Sequence, residues 1–444
     1  KYFHNVLCLS EAKGMDITMK LKVIVAHPGK QHSYQTAIAV DRMGADLIYC
    51  TTVYDKPGSI THIIKNFLKG IDRSKAETRS CAQISNDKVF QKLELYGLYQ
   101  LLMNRICKSY EKKQKINDTI NKHFEKKIAS LAKKENVDVV ISYDNNSSTL
   151  FKILEEKCPS VIRILDTSIA SRIYTKEIYK KDLILSPLFY SEFEKKIISS
   201  DDAKLYRRIK EEEKLAQYFL VGSTFVKRSL EYSGADSNKI YICPYGVDLA
   251  EFNRTDLRER TEDEPIRFVF VGGTNQRKGL SYMLEAFQQI DHQKATFTII
   301  GQDRLNVNLK QKYAKDVVFT GTVLHTEIPN LLKNSDVMVF PSLAEGFSLS
   351  MVEALACGLP IISSCNTGVN DYIQDGVNGF VVPIQNSVAI AEKMQWFIEH
   401  REKIPEMGVN AIKTAEKLTW ENYYKQIGDA IREIVEKEKR VTMR

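Results

Sequence analysis

The sequence has no apolar run of about eighteen residues or more, so we do not expect a membrane-spanning helix. Its first twenty residues have no long apolar core, and a secretory signal peptide is not expected there. The eight cysteines form no Cys-x-x-Cys pair, and Cys357 and Cys365 have no histidine near them. A zinc site and a disulfide framework are therefore not expected, and a cytoplasmic location is favoured. Short repeats and low-complexity tracts are also absent.

The charge balance is only mildly positive. In 444 residues, 64 Lys and Arg face 56 Asp and Glu, which gives a net charge of +8. This charge suits phosphate-bearing substrates or an anionic membrane surface, but many enzymes with neither partner carry it too. We do not expect a nucleic-acid partner. A chain of this length has room for two or three domains, each with its own core.

The first half begins with a pattern of strand, loop and helix. Residues 21–26 form an apolar run, residues 27–33 contain Gly and Pro, and residues 34–43 have helical spacing. This order predicts the opening of a doubly wound α/β domain. A second strand is predicted at 46–50, and one long helical region is predicted from 88 to 134. Further strands are predicted at 137–142, 161–165, 218–221 and 239–243, with a helical region over 171–215.

Part of the long helical region is strongly basic. Between Arg105 and Lys134 there are ten Lys and Arg and three Asp and Glu. A solvated basic face on a surface helix is the interpretation we favour. The alternative is a face that contacts a polyanion or an anionic membrane from the cytoplasmic side.

The second half repeats the alternation of strands and helices. Residues 249–266 are poor in apolar side chains and rich in charge, which predicts a linker. Strands are predicted at 267–271, 296–300, 317–320, 337–340, 361–363 and 379–383, with helices between them. The predicted architecture is therefore two Rossmann-like, doubly wound α/β domains that face each other across a cleft. Such sheets bind ligands at the carboxyl ends of their strands.

The segment from Pro341 to Pro360 is the most informative. A strand is predicted to end before it, and a Gly-containing loop leads into a helix. Ser348 and Ser350 lie near the helix start, where free backbone N–H groups and the helix dipole favour an anion such as phosphate. Glu345 lies in the loop and Glu353 lies one turn into the helix. Each carboxylate can accept hydrogen bonds from the two hydroxyls of a vicinal diol, so the unit offers two diol-binding groups beside a phosphate site.

A second loop follows the strand at 267–271. Gly272 and Gly273 allow close approach of the backbone to a ligand, while Arg277 and Lys278 provide positive charge for a diphosphate. Stabilising a leaving diphosphate is the main electrostatic task in cleaving a sugar–diphosphate bond.

Together these segments resemble glycosyltransferase family 4, whose members have the GT-B fold of two Rossmann-like domains. Glu345 and Glu353 match the Glu-x7-Glu motif of that family, and Lys278 with Gly279 matches its basic residue–Gly pair. Other matches lie at 245–248, 341–342, 346–347, 358–360 and 375–379. The resemblance is strong over about residues 218–385 and weaker in the N-terminal half, where residues 27–33 resemble the opening of one subgroup.

The resemblance implies roles for these residues. Glu353 would bind the ribose hydroxyls, Glu345 would contact the transferred sugar, and Lys278 would neutralise the diphosphate. Gly29 of the first domain would close over the phosphates. The backbone of Phe347, Ser348, Leu349 and Ser350 would hold the sugar and phosphates. Family members retain anomeric configuration and generally need no metal or other cofactor. They are thought to use front-face attack, with the leaving phosphate helping to take the acceptor proton.

The resemblance also implies a domain division. The N-terminal domain would span 20–245 on the acceptor side, and the C-terminal nucleotide-sugar domain would span 246–418. A last helix, 419–444, would return to the N-terminal domain. Two departures from the family pattern matter. Gly273 stands where many members have Arg, and Arg277 is the candidate to supply that charge.

The second departure concerns a histidine that many members have at a strand end near the 140s loop. Tyr143 or Asp144 stands in that region, and Asp144 is our third catalytic candidate beside Glu345 and Lys278. For His27 and His32, a role near phosphate or acceptor and a role as turn residues are both open. Asp144 could equally cap a helix.

The function predicted from the sequence is a retaining hexosyltransferase. Its donor would be a nucleotide-diphosphate sugar, with UDP the first choice and GDP the second, and its acceptor a glycan or a lipid-linked glycan. The base would meet residues near Val318 to Val323. The alternatives are a nucleotide-sugar epimerase or phosphorylase on the same fold, or a non-catalytic scaffold that binds a nucleotide sugar. A glycosidase that uses two carboxylates ranks low, because hydrolysis does not require an anion site.

Overall fold

The computed structural model of the protein describes residues 20–107, 109–200, 204–254, 257, 261 and 263–442. The prediction for the first twenty residues falls on 1–19, which lie outside this description. In the described part of the chain, each helix is too short or too polar to cross a membrane.

The first half contains a sheet of seven parallel strands in the order β3-β2-β1-β4-β5-β6-β7. Its central strands are continuous apolar runs, because helices cover both faces of the sheet. The strands are β1 Lys22–Ala26, β2 Asp46–Cys50, β3 Val89–Phe90, β4 Val139–Tyr143, β5 Ile162–Thr167, β6 Tyr218–Val221 and β7 Ile240–Ile242.

Ten helices accompany this sheet in the described residues. They are α1 Ser33–Arg42, α2 Ile60–Phe67, α3 Gly70–Glu77, α4 Glu94–Ile106, α5 Tyr110–Glu135, α6 Ser148–Lys157, α7 Arg172–Leu185, α8 Glu192–Ser199, α9 Lys204–Leu215 and α10 Thr224–Tyr232.

The prediction of one helical region over 88–134 is wrong. Its start forms β3, which pairs with Tyr49 and Cys50 of β2. The chain then breaks between α4 and α5, because Cys107 is extended and the Ser109 side chain caps a new helix at the N–H of Lys112. The predicted region 171–215 is likewise three helices, interrupted at Pro187, where a proline disfavours helix in the preceding residue.

The second half contains six parallel strands in the order β10-β9-β8-β11-β12-β13. They are β8 Ile266–Val271, β9 Ala295–Ile300, β10 Val317–Gly321, β11 Val337–Phe340, β12 Ile361–Ser364 and β13 Gly379–Val382. The helices are α11 Leu249–Phe252, α12 Leu280–Phe287, α13 Val307–Tyr313, α14 Ile328–Lys333, α15 Leu349–Ala356, α16 Ser387–Glu399, α17 Ile404–Ala415 and α18 Trp420–Thr442.

The predicted linker at 249–266 is wrong in its first four residues, which form α11. The Asp248 carboxylate accepts a hydrogen bond from the N–H of Ala250 at 2.9 Å, and Phe252 is buried. This cap and this anchor explain why a charged segment begins as a helix.

The last helix, α18, packs against α1 of the first half. Tyr423 and Thr36 share a hydrogen bond of 2.8 Å between their hydroxyl groups, and Arg42 pairs with Glu421 at 2.5 Å. The chain therefore crosses from the second sheet back to the first. The predicted domain boundaries at 245 and 418 stay a prediction, because the two sheets do not define the residue at which one domain ends and the next begins.

Each sheet reverses its strand order beside its first strand. In the first sheet the reversal lies between β1 and β4, and in the second it lies between β8 and β11. At such switch points the loops after the strands diverge and leave a crevice. Residues 27–33 and 144–147 follow the strands of the first switch point. Residues 272–279 and 341–348 follow those of the second.

Candidate functional site

The loop after β11 leads into α15 and presents backbone donors. Ser348 is the N-cap of α15, but its side chain makes no capping hydrogen bond. Among the described residues, the N–H groups of Phe347, Ser348, Leu349 and Ser350 have no hydrogen-bond acceptor. The Ser350 hydroxyl donates to the carbonyl of Val271 at 3.1 Å and ties this helix start to β8. The geometry is that of an anion-binding helix terminus.

Glu345 lies in the same loop and is held by two cations. Its carboxylate accepts a hydrogen bond from Arg277 at 2.6 Å and a second one from the Lys278 ammonium. Glu345 is buried, with 8% of its surface exposed. One negative charge is thus shared between two positive charges, which leaves a net positive pocket beside the free N–H groups of α15.

The pKa shifts in this cluster follow from burial and from the three charges. Burial alone would raise the pKa of Glu345, but Lys278 and Arg277 outweigh it and lower that pKa to about 2. Burial and the neighbouring Arg277 lower the pKa of Lys278 to about 8, although Glu345 opposes this. At neutral pH the pocket therefore contains an ionised carboxylate, a charged guanidinium and an ammonium close to its titration range.

The two loops of the second sheet interlock. Residues 276–278 form a short 3-10 turn, and the N–H of Leu343 donates to the carbonyl of Arg277 at 2.9 Å. Gly279 ends the turn at φ +71°, and a methyl group there would lie 1.9 Å from the carbonyl oxygen of Pro341. Gly272 and Gly273 lead into this turn, so the structure brings them together with Lys278.

Glu353 lies one turn into α15, and its side chain is 12% exposed. His325, which the sequence analysis missed, approaches it at 3.5 Å through Nε2 and approaches Glu251 at 3.5 Å through Nδ1. The hydrogen bond that His325 donates to Glu353 raises the pKa of His325, and burial opposes this. Glu353, the carboxylate predicted to bind a diol, thus has a basic neighbour in His325 that no sequence motif indicates.

The first sheet meets this site through Ser168 and Ser223. A methyl group on Gly346 would lie 2.0 Å from the carbonyl oxygen of Ser168, so the two backbones touch. The Ser223 hydroxyl donates to the carbonyl of Gly346 at 2.8 Å. The cleft is therefore closed directly beside Glu345.

Asp144 follows β4 and lies on the first-half wall of the cleft, opposite the loops of the second sheet. Its carboxylate accepts hydrogen bonds from the N–H of Ser168 at 3.1 Å and from the Ser168 hydroxyl at 2.8 Å. Burial raises the pKa of Asp144, and the bonds from Ser168 offset this only in part. Ser168 therefore connects Asp144 to the backbone of Gly346, since it contacts both.

Gly29 is placed differently. Its N–H donates to Nδ1 of His27 at 2.9 Å, and the Thr51 hydroxyl donates to its carbonyl at 3.1 Å. No hydrogen bond joins it to the loops at 272–279 or 341–350 in the part of the chain that is described. Burial lowers the pKa of His27 to about 4, so this imidazole is neutral at pH 7. The structure therefore does not bring Gly29 into the cluster around Glu345.

His32 lies behind the cleft wall. Its Nε2 is 3.0 Å from each carboxylate oxygen of Asp166, and its ring lies 4.3 Å from that of Tyr245. Tyr245 in turn contacts Phe347 edge to face at 5.6 Å. The motif at 27–33 is thus linked to the donor loop through an aromatic contact, without a polar contact to it.

A buried aspartate also links the two halves, and sequence reasoning missed it. Asp182 of α7 accepts hydrogen bonds from Gln276 at 2.8 Å, Tyr282 at 2.5 Å, Tyr190 at 2.7 Å and Gln385 at 3.1 Å. Gln276 directly precedes Arg277. The charged helix pattern of 171–215 gave no signal for this residue, because its partners come from both halves of the chain.

The described residues contain no group of three or more His, Cys, Asp and Glu that could hold a metal ion. The predicted independence from metal stays a prediction. Three basic residues of α5, Lys115, Lys122 and Lys126, line a separate groove of about 1190 Å³ between α5, α6, α8 and α9, in which Lys and Arg outnumber Asp and Glu eight to four. Asp118 and Glu111 lie in that groove among the lysines, which supports a solvated and partly compensated face.

With this geometry in place, similarity to known proteins becomes informative. Residues 253–415 match the family described as glycosyl transferases group 1. An Escherichia coli UDP-Gal:alpha-D-GlcNAc-diphosphoundecaprenol alpha-1,3-galactosyltransferase is 34% identical over 166 residues, which covers 34% of this chain and 43% of that protein. The amylovoran biosynthesis glycosyltransferase AmsK of Erwinia amylovora is 30% identical over 171 residues, 36% of this chain and 42% of that protein.

The matches to these two relatives extend over less than half the length of each relative. The family match lies in the second half of the chain. The second half thus contains a segment that is similar to glycosyl transferases group 1. This is the part that carries Glu345, Glu353, Arg277 and Lys278.

Solved structures match over almost the whole chain. Sucrose-phosphate synthase from Thermosynechococcus elongatus has a TM-score of 0.64 at 17% identity, covering 94% of this chain and 99% of that one. Anabaena HepE in complex with UDP has a TM-score of 0.56 at 15% identity, covering 94% and 100%. At such identities the likeness shows the fold alone. The predicted GT-B fold of two Rossmann-like domains is confirmed.

Proposed function

We propose that the protein is a retaining glycosyltransferase of family 4 that moves a hexose-type sugar from a nucleotide-diphosphate sugar to a glycan or lipid-linked acceptor. The observation that carries this proposal is the pairing of Glu345 with Arg277 and Lys278 beside the unpaired N–H groups of α15. A net positive pocket suits a diphosphate, and Glu345 and Glu353 suit the hydroxyls of a sugar and a ribose.

UDP is the proposed nucleotide, with GDP as the second choice. The relative from Escherichia coli has UDP-Gal in its name, and HepE of Anabaena was solved with UDP, with UDP and glucose, and with UDP-glucose. In this chain the ribose would lie at Glu353, near His325. The diphosphate would lie between the α15 N-terminus and Lys278.

A lipid-linked or polysaccharide acceptor is the proposed second substrate. The name of the Escherichia coli relative contains a diphosphoundecaprenol acceptor, and AmsK is named for amylovoran biosynthesis. Such acceptors fit a protein that works in the cytoplasm beside the inner face of a membrane. Asp144 and Ser168 form the wall that an acceptor hydroxyl would approach.

The chemistry follows from the charges. The bond between C1 of the sugar and the phosphate oxygen breaks, and C1 bonds to the acceptor oxygen on the same face. The acceptor proton passes to the leaving phosphate oxygen. Arg277 and Lys278 stabilise the charge that develops on the diphosphate. With a pKa of about 2, Glu345 is ionised at neutral pH and can accept hydrogen bonds from the sugar but cannot act as an acid.

Gly273, where many family members have Arg, keeps the non-catalytic scaffold as the alternative. Arg277 argues against it, because this side chain donates to Glu345 at 2.6 Å and so supplies charge at the same loop. An epimerase on the same fold would convert the nucleotide sugar without any acceptor. A phosphorylase would need free phosphate.

The first experiment is thermal unfolding with UDP, GDP and ADP for the parent and for Glu353→Ala. A ligand at about 100 times its dissociation constant adds about 2.7 kcal/mol of stability. We expect a shift with UDP that the variant loses. No shift with any nucleotide in a folded sample would contradict the proposed donor site. Nucleotide release that requires an acceptor would then separate transfer from epimerisation and from binding without turnover.

A further inference from the structure

Helix α2 turns its apolar stripe toward solvent. Ile60, Ile63, Ile64 and Phe67 recur at helical spacing, and all four are exposed, Phe67 by 80%. Thr61 is the one buried residue of the helix. In a globular domain a stripe with this spacing normally faces the core. Here the polar side packs inward, so the apolar side is free for another contact.

Helix α4 repeats this arrangement. Leu95, Tyr99, Leu102 and Ile106 share one face and are exposed. The buried residue of α4 is Gly97, which packs so closely that a methyl group there would lie 2.4 Å from the Thr52 hydroxyl oxygen. The helix is therefore anchored to the domain through a residue without a side chain, and its large apolar side chains stay outside.

The two helices form one unit, which we call the apolar helix pair (α2 and α4). The Glu94 carboxylate at the start of α4 accepts hydrogen bonds from the N–H of Thr61 at 2.6 Å and the N–H of Ile60 at 3.2 Å, the first residues of α2. Ten of the 22 large hydrophobic side chains that are exposed in the described chain lie within residues 60–106. Such a concentration marks an interaction surface, since scattered exposed residues would be spread along the chain.

The surroundings of the apolar helix pair are basic. Lys69 lies between α2 and α3, Lys75 lies on α3, Lys92 precedes α4, and Lys112 lies at the start of α5, and all four are exposed. Apolar stripes bordered by exposed lysines are the pattern of helices that lie in the interface of an anionic bilayer. A protein partner would need an acidic apolar groove, whereas the larger groove described above in this chain is lined mainly by Lys and Arg.

We propose that the apolar helix pair docks on a membrane surface that contains anionic lipids, with Phe67 and Leu102 entering the interface. The proposal moves the membrane contact from α5, where Lys115, Lys122 and Lys126 line a separate groove, to α2 and α4. It goes beyond the proposed function, and its test requires no turnover. If the acceptor is lipid-linked, the docked surface belongs to the acceptor-side half of the cleft.

The test is co-sedimentation of the full chain with phosphatidylcholine vesicles, with and without phosphatidylglycerol. We expect binding to the anionic vesicles and a fall in the partition coefficient of about tenfold or more in Phe67→Ser/Leu102→Ser. The matched control is Ile184→Ser/Leu188→Ser, which removes two side chains that are 81% and 69% exposed outside the pair. We expect the control to bind like the parent.

Several results would overturn the proposal. They are a parent that binds neither vesicle, an equal loss in the control, and self-association without lipid that Phe67→Ser/Leu102→Ser abolishes. Lys69→Glu/Lys75→Glu should remove the preference for anionic vesicles, and a preserved preference would contradict the anionic surface. A cooperative thermal unfolding transition without ligand shows that each variant is folded. The absence of a nucleotide-induced shift in the parent would count against the donor site alone and leave the vesicle result standing.

Discussion

The two walls of the cleft are built in different ways. The donor wall comes from two short stretches, 271–279 and 341–353, in which charges, glycines and a helix start lie within a few residues of one another. The acceptor wall gathers Asp144, Ser168 and Ser223 from three separate loops, and His32 and Tyr245 lie behind it. The donor wall is thus formed by residues that are close together in the sequence, while the acceptor wall depends on how distant strands come together.

Glu345→Gln is the variant with the largest expected effect on the donor wall. The substitution removes the negative charge that Arg277 and Lys278 share and replaces one acceptor oxygen with an NH₂ donor. We expect turnover to fall about 10²- to 10³-fold, with a much smaller change in nucleotide affinity. Steady-state release of the nucleotide and calorimetric titration measure the two quantities. Glu406→Gln, at an exposed ion pair, is the control.

Equal turnover in Glu345→Gln and the parent would remove the assignment of this residue.

Glu353→Ala tests the other end of the donor wall. Loss of a charged acceptor for two ribose hydroxyls should weaken nucleotide binding about 10- to 100-fold, since hydrogen bonds to charged groups contribute about 1.5–3 kcal/mol. Calorimetric titration with UDP measures this. The comparison sharpens if turnover at saturating donor stays close to that of the parent. An unchanged dissociation constant would place the ribose elsewhere.

Lys278 makes nucleotide binding depend on pH. Because burial lowers its pKa to about 8, the ammonium that attracts the diphosphate is lost as the pH rises through that value. We expect UDP affinity to be constant below the pKa and to fall up to about tenfold per pH unit above it. Lys278→Arg keeps its charge, so its affinity should stay flat over the same range. A parent as flat as the variant would contradict the assignment.

Asp182→Asn tests whether a residue of the first half affects the donor wall. This residue belongs to the first half but holds Gln276 beside Arg277. Replacing a buried carboxylate that has four neutral donors should lower the free energy of unfolding by about 1–3 kcal/mol. It should also raise the donor KM a few-fold while kcat is preserved. Urea unfolding and steady-state kinetics measure these changes, with the exposed Asp429→Asn as control.

A change in stability of Asp182→Asn with no change in donor KM would show that Asp182 supports the fold without positioning the loop.

The donor wall could be predicted from the sequence because its parts are neighbours in the chain. The strand before Pro341, the helix start at Ser348 and the spacing of Glu345 and Glu353 together predict the loop–helix unit that the structure shows. The sharing of the Glu345 carboxylate between Arg277 and Lys278 was not predicted. It depends on how two loops interlock about 70 residues apart, and spacing contains no such information.

The first half was harder to predict. The helix at 60–67 was missed, and the helix at 94–106 was merged with α5. Apolar residues at helical spacing do not show whether a helix faces the core or the solvent, so the exposure of these side chains was not predicted either. Asp182 and His325 were missed because their hydrogen-bond and ion-pair partners are far away in the sequence, and the local pattern around each residue does not indicate those partners. Gly29 was predicted to meet the phosphates, and this role stays a prediction.

The closeness of Gly346 to Ser168 has a kinetic meaning. If the protein binds a sugar nucleotide at Glu345 as proposed, the burial of Glu345 implies that the backbones at 168 and 346 move apart to admit it. Parting them breaks the bond from Ser223 to Gly346 and the bonds from Thr224 to Asp371. Every catalytic cycle would include one such opening to admit fresh donor and one to discharge spent nucleotide. Under the proposed function, the rate of this opening would limit turnover however fast the chemical step is.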